Sequence, residues 1–105
     1  MRWFTILAAV ALGVLGSPAS PAGTTQSILM KSIAFEPRQI TVHVGDRLEW
    51  ANQDIVAHTA TTKDKSWDVN VMPGKKGRMV MKAAGTFDYI CRYHPNMTGE
   101  VIVEP

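Results

Sequence analysis

The chain has 105 residues, a formal net charge of +2 and a 46% hydrophobic content, enough for one small domain. That near-neutral balance excludes nucleic acid as a partner. A single cysteine excludes an intrachain disulfide framework, and no C-x-x-C-H run is present to attach a haem.

Residues 1–22 read as an export leader. Arg2 gives a positive start, Trp3 to Leu15 is almost wholly apolar, and Gly16 to Ala22 is small residues and helix breakers. The apolar run is shorter than the roughly 20 residues that span a bilayer. Cleavage after Ala22, with Ser20 at −3, or after Ala19, with Ser17 at −3, fits the small-residue rule; taking Gly23 as the mature start leaves residues 23–105 as a single domain, with no membrane insertion after cleavage. Export predicts an oxidising compartment, where an unpaired thiol needs a reason, and metal ligation is an economical one.

The remaining chain shows no helical stripe. It reads as short alternating strands separated by Gly, Pro, Asn and Asp. A first strand is predicted over Ser27 to Ile33, with a break at Phe35-Glu36-Pro37. Ile40 to Val44 follows and ends at the Gly45-Asp46 turn. Arg47 to Ala51 is the next strand, then a loop at Asn52 to Asp54, then the β-branched stretch Ile55 to Thr62. Lys63 to Lys76 reads as polar and irregular. Arg78 to Lys82, Thr86 to Cys91 and Glu100 to Val103 complete the set. About 7–8 short strands at this spacing predict an all-β, antiparallel sandwich. Trp50, Tyr89, Met79 and Met81 are candidate core residues, and His43 a surface histidine.

The chemistry concentrates in Cys91-Arg92-Tyr93-His94-Pro95-Asn96-Met97, a C-x2-H-x2-M run. A thiolate, an imidazole and a thioether in seven residues are soft donors of the kind copper prefers. Period-2 geometry puts Cys91 on the face of Phe87 and Tyr89, so the thiol points inward if the aromatics do. Pro95 restricts His94 to extended geometry and stiffens the loop. His58, from a neighbouring segment, would complete two His, one Cys and a weak axial Met, the donor set of a blue-copper site. Zinc fits poorly, because Met is not among its usual ligands.

The run Ala84 to Cys91, followed by Arg92 to Met97, resembles the C-terminal signature of the cupredoxins. The two-residue gap between His94 and Met97, with Pro95 inside it, is similar to the amicyanin group. The likeness extends through Val44-Gly45-Asp46, Trp50-Ala51-Asn52 and His58. It implies a Greek-key β-sandwich holding one copper ion, with His58, Cys91, His94 and Met97 as ligands. It also implies a periplasmic one-electron carrier rather than an enzyme, working as a monomer between a dehydrogenase and a c-type cytochrome that dock near His94. Loop-histidine protonation in the reduced, acid state belongs to the same resemblance. The likeness departs at two positions. Thr59 stands where Asn commonly follows the first ligand His. Arg92 stands where the amicyanin group has a small hydroxyl residue bonded to an Asn at the position of Asn52.

Two other functions meet the same residues. A copper oxidase or nitrite reductase needs further histidine-built centres, and only 3 His exist. A periplasmic copper chaperone or buffer would use exposed Met and His, and the 6 Met keep it in view.

Overall fold

The structure is a computed structural model that describes residues 23–105. The expected leader lies outside the described residues. Those residues form nine strands and no helix. They are β1 (Thr25–Met30), β2 (Phe35–Glu36), β3 (Gln39–His43), β4 (Arg47–Asn52), β5 (His58–Thr62), β6 (Asp68–Val71), β7 (Lys76–Val80), β8 (Gly85–Cys91) and β9 (His94–Glu104). One sheet runs β2-β1-β4-β7 and the other β3-β9-β8-β5-β6.

The all-β sandwich follows from the alternation, with three refinements. The sheets are mixed: β1 lies parallel to β4 and β3 parallel to β9. Parallel neighbours are joined through distant chain, so strand patterning carries no sign of them. The segment at Phe35 is a strand of two residues, paired with β1 on the edge of its sheet. The stretch read as irregular contains β6, whose Asp68 to Val71 pairs antiparallel with β5.

The core lies between the sheets. Ile28, Met30, Leu48 and Trp50 come from one side, and Ala60, Tyr89, Cys91, Val101 and Val103 from the other, all buried. Each alternates with a more exposed residue along its strand except on β5, where every residue from His58 to Thr62 is buried. Tyr89 packs edge-on against Phe35 and Trp50 at centroid distances of 4.5 and 5.8 Å. Burial pushes the Tyr89 phenol up to about 12, so it stays neutral and accepts a hydrogen bond from Trp50 Nε1. Trp67, undecided from sequence, is buried and stacks on Phe87 at 5.0 Å. His43 is exposed as expected, 3.5 Å from Glu104.

What the fold does for function happens at one end. There the turn between β1 and β2, the loop between β4 and β5, the start of β7 and the turn between β8 and β9 converge. Asn52 is the organiser. Its side-chain amide donates to the carbonyls of Val56 and Val71, and its Oδ1 accepts from Asp54 N–H. Its backbone exchanges bonds with Lys75 and Gly74. A buried amide with its hydrogen bonds satisfied fixes the loop that leads into His58.

Candidate metal centre

β8 carries Cys91 at its last position, fully buried, on the inward face with Tyr89. The chain then reverses through Arg92 and Tyr93, and Cys91 pairs with His94. The next pair is Ile90 with Thr98, so Pro95, Asn96 and Met97 are extra residues on β9 at a register shift. A bulge of this kind re-aims side chains. His94 is half-buried, Pro95 and Asn96 are exposed, and Met97 turns inward at 2% exposure. His58 opens β5, pairs with Val71 and is fully buried.

The structure brings His58, Cys91 and His94 into one cluster, with a ligand atom of each lying within 4.8 Å of the others. Cys91 Sγ is 3.7 Å from His58 Nδ1 and 3.6 Å from His94 Nδ1. Metal–nitrogen and metal–sulfur bonds of about 2.0–2.3 Å, spread at trigonal angles, put N and S roughly 3.7 Å apart. The cluster therefore has the dimensions to hold one ion between its three donors. Its soft thiolate with two imidazoles fits copper.

Two contacts prepare the donors. Asp54 Oδ2 lies 2.8 Å from His58 Nε2. A carboxylate there holds the proton on Nε2 and leaves Nδ1 as the lone pair facing the sulfur. Asp54 is itself held by the N–H groups of Ser32 and Ile33, at 2.8 and 2.9 Å, which sit in left-handed conformation at φ of 55° and 56°. Burial works to raise the Asp54 carboxyl, and the Ile33 N–H, the His58 ring and the Ser32 N–H together outweigh it and hold the group below its ordinary value. The second contact is Thr59 N–H, which donates to Cys91 Sγ at 3.3 Å and offsets negative charge on the sulfur.

The departures noted in the sequence resolve here. Asn52 does not reach the residue after Cys91. Arg92 instead donates its backbone N–H to Thr59 Oγ1 at 2.9 Å, so β5 and the end of β8 are tied at Thr59. Sequence reading missed Asp54, which it placed only in a loop. A carboxylate four residues before a ligand-type His was the available signal.

The profile of the cupredoxin-like domain matches residues 4–103. This chain belongs to that family. Among the relatives of this cupredoxin is amicyanin-alpha of Methylorubrum extorquens, 31% identical over 108 residues, covering 96% of this chain and 90% of the relative. Another is the amicyanin of Paracoccus denitrificans, 28% identical, covering 84% of this chain and 74% of the relative. Among solved structures, a Cu(I) amicyanin variant superposes with a TM-score of 0.71 at 23% identity, over 76% of this chain and 82% of that one. A second variant, reduced at pH 4, gives 0.69 at 25% identity, over 83% and 86%.

Proposed function

We infer that this cupredoxin is an exported one-electron carrier with a single type 1 copper. His58, Cys91 and His94 serve as its trigonal donors and Met97 as its weak axial one. The observation that carries the reading is the buried thiol with two imidazole nitrogens at 3.6 and 3.7 Å. Bound copper supplies the Cu(I)/Cu(II) couple. The protein supplies a donor set that need not move. Asp54 fixes the His58 ring, the Thr59 N–H moderates the sulfur, and the bulge at residues 95–97 sets His94 and Met97. Donors prearranged in a buried, sheet-anchored corner keep the reorganisation accompanying electron transfer small.

His94, less buried than the other two donors, gives the route to the surface. Exposed apolar side chains surround this end of the sandwich, including Ile55, Val56, Met72 and Tyr93. A patch of that kind, with the Arg92 guanidinium lying over Tyr93, fits brief docking of redox proteins. A dehydrogenase as donor and a c-type cytochrome as acceptor, a periplasmic location after loss of residues 1–22, and a monomeric carrier complete the reading. The competing role, copper buffering, calls for clustered exposed thioethers. Met30, Met81 and Met97 are buried, and Met72 is the one large exposed thioether among the described residues.

Addition of Cu(II) to residues 23–105 tests the function. The expected result is an intense thiolate-to-copper absorption, bleached reversibly by ascorbate and absent from Cys91→Ala. A colourless product, or colour that survives the substitution, overturns it.

A further inference from the structure

The residues that follow His58 and Cys91, Thr59 and Arg92, enter a closed hydrogen-bonded ring. Arg92 N–H donates to Thr59 Oγ1 at 2.9 Å. The hydroxyl oxygens of Thr59 and Thr61 are 2.9 Å apart, and Thr61 Oγ1 donates to Asp68 Oδ1 at 2.9 Å. Arg92 Nε–H then donates to the same Asp68 oxygen at 3.0 Å, closing the ring where it began.

The carboxylate decides every direction in it. An ionised Asp only accepts, and a hydroxyl has one proton to give. The Thr61 proton therefore goes to Asp68. That leaves Thr61 Oγ1 to accept the Thr59 proton, and Thr59 Oγ1 to accept the Arg92 N–H. Thr59 and Thr61 are buried, at 0% and 2% exposure, so bulk water does not compete for their hydroxyls. The Asp68–Arg92 pair is partly exposed and contributes little as a charge pair. Its part is orientation. The Thr61 hydroxyl, with the Arg92 side chain behind it, holds the Asp68 carboxyl below its ordinary value, so it stays ionised at neutral pH.

The ring straddles the donors. Thr59 follows His58 and donates its N–H to Cys91 Sγ, and Arg92 follows Cys91. The pairs β5 makes with β8 lie further along, at Thr61 with Ile90 and Thr62 with Tyr89. At the His58–Cys91 corner the ring takes over from that ladder.

We propose that Asp68 and Thr61 are positioning residues for the metal centre: through the ring they clamp the His58 end of β5 to the Cys91 end of β8 and hold Thr59 N–H on the sulfur. Neither touches the metal site. The assignment rests on the copper reading for its redox consequence, but the clamp itself is a property of the metal-free protein.

Thr61→Val breaks the ring without changing charge. In the metal-free protein, amide hydrogen exchange at Thr59 and Arg92 rises roughly tenfold, the loss of about 1.4 kcal/mol of local protection. In the copper-loaded protein the thiolate band moves to longer wavelength and the reduction potential falls, because the sulfur donates more strongly without its N–H. Thr61→Ser restores all three. Asp68→Ala reproduces Thr61→Val, including the fall in potential. Loss of a negative charge alone would raise it, so the sign separates the ring from simple electrostatics. Asp68→Asn, which keeps the accepting oxygen but loses the charge, leaves amide exchange near the parent and shows no fall in potential. Unchanged amide exchange in both Thr61→Val and Asp68→Ala overturns the clamp, as does a Thr61→Ser variant as impaired as Thr61→Val. A parent protein that takes up no copper defeats the functional reading instead, while the amide measurements still decide the clamp.

Discussion

At the residue scale, the thiol, one imidazole and the thioether stood out from their spacing, but the side chains around them did not. Cys91, His94 and Met97 announce themselves because three rare soft donors fall within seven positions. Asp54 does not, since an acidic residue in a loop is the commonest of surface features. Its importance comes from two backbone N–H groups contributed by the distant turn at Ser32 and Ile33, which hold its carboxylate in reach of His58. Asp54→Ala frees the His58 ring and its tautomer. Copper affinity is expected to fall about 10–100-fold, as is usual when a support of a ligand histidine is lost. Competitive titration against a chelator measures it, and an unchanged affinity would show that the ring is held by packing alone.

At the scale of elements, two glycines show how closely the strands meet. Gly99 on β9 pairs with Tyr89 on β8, and a Cβ there would lie 2.5 Å from the Tyr89 ring. Gly77 on β7 faces Val69 and Val71 of β6, with a Cβ at 2.6 and 2.9 Å from their methyls. The first lets an aromatic lie across its cross-strand partner, and the second lets the edges of the two sheets close. Either Gly→Ala substitution overpacks its site and costs about 1–3 kcal/mol, a melting drop of roughly 5–20 °C for a domain of this size. Thermal melts of the metal-free variants check this. A melting point equal to the parent's would mean that the strands separate at little cost.

For the molecule as a whole, surface carboxylates set the acid limit. The Arg78 hydrogen bond, helped by Lys76, holds Glu49 low against the opposing effect of burial. The Ser66 N–H and hydroxyl hold Asp64 low, and Thr61 and Arg92 do so for Asp68. Each group releases its proton more readily folded than unfolded. As pH falls through about 4, the unfolded chain takes up these protons first, so stability is full above that value and lost below it. Melting temperature of the metal-free protein is therefore expected to stay level from pH 7 to about 5 and to drop below about 4. Because these pairs lie at the surface, added salt should shrink the drop. Stability that rises toward acid would contradict the assignment.

The amino-acid sequence by itself determined the class of fold and set three candidate donors, Cys91, His94 and Met97, in one run, because both are local, whereas His58 reaches Cys91 across 33 positions only through the fold. Alternation over five or six residues makes a half-buried strand, and the tight turn after Cys91 brings His94 back beside it within three positions. Only the tertiary structure decided that β1 lies along β4 and β3 along β9, that Asp68 to Val71 is a strand, and that Asn52 organises one loop while Arg92 and Thr59 tie the donors. Those contacts join residues from 4 to more than 50 positions apart. Their partners are chosen by which strands bury their apolar faces together, and no spacing along the chain records that choice.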